Sequence, residues 1–310
     1  MRNAFSAWLT ERAESDERIR LLTGDLGYTV FDDFIERHPD RFLNVGVAEQ
    51  NMVGVATGLA EAGFVPFVYS IATFASMRAY EFIRNGPLLH QLPVRVVGVG
   101  AGFDYGHNGI SHFALEDVAI MRAQPGMTVV APADRAQTRA ALDAVVDLPG
   151  PVYLRLGKGG DEIAELGGRF ELGRTITLRE GEVALIALGS MAAEALEAAD
   201  LLAEQGVEAG VSVVSGFTAE PDEELLRVLE AATVAVTVEA AYVTGGLGSH
   251  VAELIATGAP SPRLVRCGVE FMPHGLSGGQ DYLNDVAGIS AGKVADAALR
   301  GVATAAGRWP

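Results

Sequence analysis

The sequence predicts an α/β protein built of two parallel or mixed-sheet domains, and three observations carry that prediction. Short apolar runs of strand length alternate with segments whose apolar residues recur at helical spacing. A chain of 310 residues is long enough for two cores. At mid-chain the alternation breaks: from Gly157 to about Leu178 glycines and acids dominate. The domains therefore read as 1–156 and 179–310, joined by a linker at 157–178 with room for a short hairpin.

Residues Ala4 to Ala13 read as a helix, and Ile19 to Leu22 as a strand running into Thr23-Gly24-Asp25-Leu26-Gly27. Asp25 either caps a turn or belongs to a loop-borne site at the strand end. Phe42 to Val47 is the next apolar strand. From Ala48 onward Met52, Val53, Ala56, Leu59 and Ala60 keep helical spacing, and Glu49 falls on their stripe rather than on the wet face. Two readings of Glu49 stand here: a first-turn acid favoured by the helix dipole, or a carboxyl in a dry site that holds or passes a proton. Gly54 and Gly58 strip one side of the same helix, so that a second helix or backbone can approach.

Val65 to Tyr69 completes a β, α, β order, the mark of a parallel sheet. Ser70 to Arg84 is helical and carries Phe74, Met77, Tyr80 and Phe82. Pro93 to Gly100 is an apolar strand opening on a glycine-rich loop, Gly100 to His112, that holds two of the six histidines. Ligands bind where loops leave the carboxyl ends of parallel strands. His112 is thus either a functional group or a loop hydrogen-bonder. Thr128 to Ala131 is a strand, Asp134 caps a helix from Arg135 to Val146, and the strand Pro151 to Leu156 delivers Arg155 near its end. Arg155 can meet a surface acid there, or a phosphate or carboxylate.

The second half repeats the alternation without repeating the sequence: strands Val183 to Leu188, Gly210 to Val214, Thr233 to Val238 and Leu264 to Val269, with helices Ala192 to Gln205, Asp222 to Ala231 and Gly246 to Ala256 between them. Val243 to Ser249 is rich in glycine but lacks the lysine and spacing of a Walker loop, so its glycines read as permitting a tight strand-to-helix turn.

Composition narrows the function. Hydrophobic residues make up 49% and charged residues 20%, the balance of a globular domain. A net charge of −17 with no basic stripe argues against nucleic acid as a partner. No apolar run reaches the roughly 18 residues of a membrane span. The amino terminus leads into an amphipathic pattern with acids at Glu11 and Glu14, unlike a signal peptide, so the expected location is cytoplasmic. The lone cysteine, Cys267, reads as a core thiol and excludes a cysteine metal cluster within the chain.

Taken in order, Gly24-Asp25-Leu26-Gly27, Gly46-Val47-Ala48-Glu49-Gln50-Asn51-Met52, Pro66-Phe67-Val68, Phe74-Ala75-Ser76, Arg78-Ala79-Tyr80, Gly109-Ile110-Ser111-His112, Ala131-Pro132-Ala133-Asp134 and Gly245-Gly246-Leu247-Gly248 form one pattern. It resembles the C-terminal half of transketolases over essentially the whole chain, and most of all the stand-alone beta subunit of split transketolases. The resemblance implies a pyrimidine-binding domain followed by a transketolase C-terminal domain. It implies that Glu49 hydrogen-bonds the aminopyrimidine of thiamine diphosphate and promotes its imino tautomer, and that Phe74 stacks on that ring, the alternative for Phe74 being a core role. Asp25 would lie near the thiazolium, Leu26 and Met77 would also bind the cofactor, and His112 would lie beside the reacting carbon. Arg155 would bind a sugar phosphate, with Arg2 as a second arginine.

Departures accompany the resemblance. Gly100 stands where phosphosugar transketolases commonly carry a histidine, Met77 where many carry an aromatic, and Asn108 where many carry an aspartate that contacts a donor hydroxyl. Glu239-Ala240-Ala241-Tyr242 lacks a histidine found in related beta subunits before the Gly-Gly turn. No Gly-Asp-Gly segment with a following asparagine is present to hold the diphosphate and Mg2+. No metal ligand is therefore assigned in this chain.

The implied partner is an alpha subunit bearing that motif, in a heterotetramer with two chains of each kind. The implied activity is transfer of a two-carbon ketol unit from a ketose to an aldose. Two rivals remain at this point: a beta subunit of a 2-oxo acid dehydrogenase decarboxylating component or a deoxyxylulose phosphate synthase-like enzyme, and a non-catalytic paralogue that only stabilises a partner.

Overall fold

A computed structural model describes residues 1–258 and 260–305. The first half runs α1 (Arg2–Ser15), β1 (Ile19–Thr23), α2 (Asp32–Arg37), β2 (Phe42–Asn44), α3 (Glu49–Glu61), β3 (Val65–Ile71), α4 (Tyr80–Ile83), β4 (Arg95–Val99), α5 (Asp117–Arg122), β5 (Thr128–Val130), α6 (Arg135–Val145) and β6 (Val152–Leu156). The second half runs β7 (Ile176–Arg179), β8 (Val183–Leu188), α7 (Ala192–Ala203), β9 (Ala209–Val214), β10 (Gly216–Phe217), α8 (Glu223–Ala231), β11 (Val234–Tyr242), α9 (Leu247–Ala256), β12 (Arg263–Val269), α10 (Gln280–Val286) and α11 (Ala291–Ala305).

These elements build two mostly parallel sheets, as the alternation predicts. The first has seven strands in the order β10-β5-β6-β4-β3-β1-β2, parallel except for β10 against β5. The second has five in the order β12-β11-β8-β9-β7, parallel except for β7 against β9. β3, β4 and β6 are buried along their whole length, which is why they read as unbroken apolar runs.

One face of the first sheet packs on Phe5, Trp8 and Leu9 of α1 and Leu142 of α6. Phe5 is fully buried and stacks on Tyr69 with ring centroids 5.9 Å apart. Each such ring contributes about 1.5–3 kcal/mol by leaving water. The opposite face shares one apolar cluster with the second half: Met52, Val53 and Val96 lie in the same cluster as Ile186, Leu225 and Val251. Asp134 caps α6 by accepting from Gln137 N–H at 2.7 Å, and Asp222 caps α8 by accepting from Leu225 N–H at 3.1 Å. Each cap is worth about 1 kcal/mol.

The structure departs from expectation in three places. The segment expected as one helix from Ser70 is a π-helical turn, Phe74–Arg78, then α4, then a second π-helical turn, Arg84–Leu88, with Pro87 inside it. The strand expected to reach Val47 ends at Asn44, because Gly46 turns the chain at φ +74°. No hairpin forms between 157 and 178; β7 instead begins at Ile176 and pairs with β9, so the second sheet starts inside the expected linker.

Candidate active site

β1 and β3 end beside the start of α3, and the groups that face one another there come from segments distant in sequence. Glu49 is the first residue of α3 and is only 3% exposed. Its carboxylate is held from two sides. Ser70 Oγ at the end of β3 donates to Oε1 at 3.2 Å, and Arg78 Nη1 donates to Oε1 and Oε2, each at 3.1 Å. A Cβ added at Gly24 would lie 3.7 Å from Oε1, so the glycine backbone forms the third wall. Both readings of Glu49 meet in this geometry: it opens the helix and it is buried.

Arg78 closes the π-helical turn that Phe74 opens, and its Cζ lies 3.8 Å from the centroid of the Phe74 ring. The Phe74 ring meets His112 edge-on, with centroids 5.2 Å apart. His112 in turn lies 6.3 Å from Tyr105, over which Lys158 Nζ sits at 4.6 Å. Glu49, Arg78, Phe74, His112 and Tyr105 thus form one continuous file. Burial, and secondarily the charge of Arg78, hold the His112 imidazole below its ordinary range. Ser111 Oγ lies 2.9 Å from its Nδ1. Burial raises the Tyr105 hydroxyl, with the charge of Arg2 working against it.

The remaining sequence-predicted residues divide. Asp25 follows Gly24, adopts φ +59° and is exposed; its Oδ1 accepts from Tyr28 O–H at 2.6 Å and from Asn44 Nδ2 at 3.1 Å, and these bonds lower its pKa. Leu26 beside it is half-buried. Met77 is exposed, one turn from Phe74, with its Sδ accepting from Thr73 Oγ1 at 3.4 Å. Asn108 is exposed on the short turn Gly106–Asn108. Arg2, half-buried, opens α1 and bears on Tyr105 and Tyr69.

Arg155 requires a correction. Its side chain is 2% exposed, its Nε donates to Asp117 Oδ2 at 2.8 Å, and its Nη2 donates to the carbonyls of Ala114 at 3.0 Å and Ala240 at 2.8 Å. The strand does deliver it inward, but to a buried carboxylate on α5 and to the backbone of β11. That leaves it a brace between the two halves rather than a phosphate ligand. Gly54 and Gly58 are both exposed; a Cβ at Gly54 would lie 3.7 Å from the Phe82 ring, and one at Gly58 would have nothing within 4 Å.

Four groups escape sequence reasoning. Tyr105 explains Gly100: the glycine has φ +89°, and a Cβ there would collide with the Tyr105 ring, so the tyrosine occupies the space a side chain at position 100 would need. Glu239, fully buried in β11, accepts from Leu247 N–H and Gly248 N–H, both at 2.8 Å. The glycine turn before α9 therefore closes on an internal carboxylate, and burial raises the Glu239 pKa. Ser70 carries no local signal, and Arg78, though part of the Arg78-Ala79-Tyr80 motif, carries none for its contact with Glu49. Among the described residues, no group of three or more His, Cys, Asp or Glu is placed to hold a metal ion.

The slot between Phe74 and Glu49 accepts a flat group that bears N–H donors, since the Arg78 guanidinium lies in it with its central carbon over the ring and its nitrogen on the carboxylate. An aminopyrimidine presents a ring face to Phe74, and its ring nitrogen, which accepts, meets Glu49 when a proton is shared between the two.

Comparison with known proteins identifies the domains and the family. The family model described as the transketolase pyrimidine-binding domain matches residues 1–160, and that described as the transketolase C-terminal domain matches residues 173–294. The chain is 40% identical over 305 residues to the 6-deoxy-6-sulfo-D-fructose transketolase subunit of a Clostridium species (strain MSTE9), covering 96% of this chain and 93% of that one. It is 38% identical over 301 residues to a protein of Methanocaldococcus jannaschii named as a putative transketolase C-terminal section, covering 95% and 94%. Among solved structures, a split-gene transketolase described as an inactive beta4 tetramer superposes with a TM-score of 0.87 at 40% identity, covering 97% of each chain. No helix among the described residues is long and apolar enough to cross a membrane.

Proposed function

Because this chain belongs to the transketolase family, we propose that it is the beta subunit of a two-chain transketolase. In that reading it transfers a two-carbon ketol unit from a ketose to an aldose, together with a partner alpha chain. The partner holds the diphosphate and Mg2+ of thiamine diphosphate, and this chain holds the aminopyrimidine. When bound, the cofactor supplies the nucleophilic carbon and the electron sink for the transfer.

The chain's own residues then have definite tasks. Glu49 shares a proton with a ring nitrogen, from a position that excludes water. Phe74 presents its face to the ring, while Asp25, Leu26 and Met77 border the cofactor. His112, neutral at neutral pH and paired with Ser111 Oγ through Nδ1, leaves Nε2 for a substrate hydroxyl or a developing oxyanion. Asn108 hydrogen-bonds a donor hydroxyl. Arg2 and Lys158, beside Tyr105, supply positive charge for an anionic end of the substrate, the role that Arg155 cannot take. The Clostridium relative is named for a sulfonated ketose, which suits such an end.

Two features support a partner chain. Val47 is 70% exposed and Leu89 69% exposed, and Met77, Phe82 and Ile110 are also open to solvent. Such apolar exposure beside Glu49 at Val47 and Met77, and further off at Phe82, Leu89 and Ile110, suits an interface with a partner chain. The solved relative made of beta chains alone is described as inactive.

The buried Glu49 carboxylate facing the Phe74 slot carries this reading. The test is Glu49→Gln in the complex reconstituted with the alpha chain, assayed for ketol transfer with thiamine diphosphate and Mg2+. The expected loss is about 100-fold or more, with an unchanged circular dichroism spectrum. Near-normal turnover by that variant removes Glu49 from the mechanism, and turnover by the isolated wild-type chain removes the partner.

A further inference from the structure

Arg78 makes the two contacts that an aminopyrimidine in this site would need. Its guanidinium lies 3.8 Å over Phe74 and donates to both oxygens of Glu49 at 3.1 Å. Two flat groups cannot share one ring face and one carboxylate edge. We propose that Arg78 is a built-in placeholder, seated in the aminopyrimidine slot of the free chain and displaced when the cofactor enters. The proposal rests on the thiamine diphosphate reading above.

Three observations carry it. Glu49 is 3% exposed, and a buried carboxylate left without a partner is costly, so an empty slot calls for a cation. The Arg78 side chain is 45% exposed, so it can leave by a rotamer change toward solvent without opening the core. Ser70 Oγ donates to Glu49 Oε1 at 3.2 Å from β3, outside the slot, so the exchange of slot occupants does not require this bond to break. The charged and titratable groups facing Arg78 are Glu49 and the His112 imidazole. Only the first attracts it.

The consequence is an affinity penalty, because the cofactor binds only the fraction of molecules in which Arg78 has left. Isothermal titration of thiamine diphosphate, with Mg2+, into the complex of this chain with its alpha partner reads that penalty directly. Arg78→Ala is expected to bind the cofactor about 5- to 30-fold more tightly than wild type. Arg78→Met, which keeps the aliphatic stem, replaces it if the alanine variant melts early. Equal or weaker binding by a folded variant overturns the placeholder and makes Arg78 a fixed partner of Glu49. A wild-type complex that binds no thiamine diphosphate overturns the functional reading itself, and the placeholder with it.

Discussion

Replacing Arg155 by methionine separates a brace from a phosphate ligand. The guanidinium is 2% exposed and Asp117 is fully buried, and they meet at 2.8 Å. The variant leaves Asp117 with the Tyr153 hydroxyl on Oδ2 at 2.8 Å and no partner on Oδ1, which already lacks one. It also strips two carbonyls, Ala114 and Ala240, of their donors. Breaking a buried pair by removing one member costs about 3–5 kcal/mol. For a domain of this size that corresponds to a fall of roughly 10 °C in melting temperature. The assay is differential scanning calorimetry of Arg155→Met beside the double variant Arg155→Met/Asp117→Leu. The double variant should recover part of the loss, since no charge then stays buried and unpaired, while the Tyr153 hydroxyl and the two carbonyls still lack partners. A single variant that melts within about 1 kcal/mol of wild type but raises KM for a phosphorylated substrate would refute the structural account and restore the phosphate role.

Three further outcomes follow from the same geometry. Gly100→His forces a side chain into a φ of +89° and against the Tyr105 ring, so thermal melting should show a loss of about 2 kcal/mol or more, partly recovered by Tyr105→Ala. The His112 imidazole is held below its ordinary range by burial and by Arg78, so in the cofactor-free chain its titration followed by NMR should have its midpoint below about pH 6.5, where a free imidazole titrates. In cofactor-free Arg78→Ala the midpoint should move up, because the repelling charge is gone while burial remains; a downward shift would contradict this. Cys267, buried and with its thiol pushed up to about 11, should resist a disulfide-exchange reagent at mild alkaline pH until denaturant opens the second domain.

Periodicity makes most of the architecture legible. β3, β4 and β8 are buried on both faces and so appear as continuous apolar runs. Asp134 and Asp222 cap helices through local hydrogen bonds that need no tertiary contact. The burial of Glu49 is also legible, because its neighbours three and four residues on define the stripe. Arg155 is not. Its strand position predicts only that it points inward, and the identity of its partner depends on α5 and β11 arriving from elsewhere. Arg78 is opaque for a different reason: the π-helical turn widens the spacing between residues 74 and 78, so helical periodicity misplaces the guanidinium. Tyr105 and Gly100 form a pair whose meaning lies in one group's absence beside the other's bulk, which neither residue reveals alone.

The two-residue strand β10 lies in the second half of the chain but hydrogen-bonds β5 at the border of the first sheet. It works as a clasp. Cutting the chain at the linker would release the first domain with the outer side of β5 bare, a row of backbone donors and acceptors ready to pair with a neighbour. The same cut would open the shared cluster around Val96, Ile186 and Leu225. Divisibility at the level of sequence families therefore does not extend to the folded chain, whose second half completes the first sheet and whose halves share one core, and a fragment approach to the first half must carry residues 216 and 217 with it.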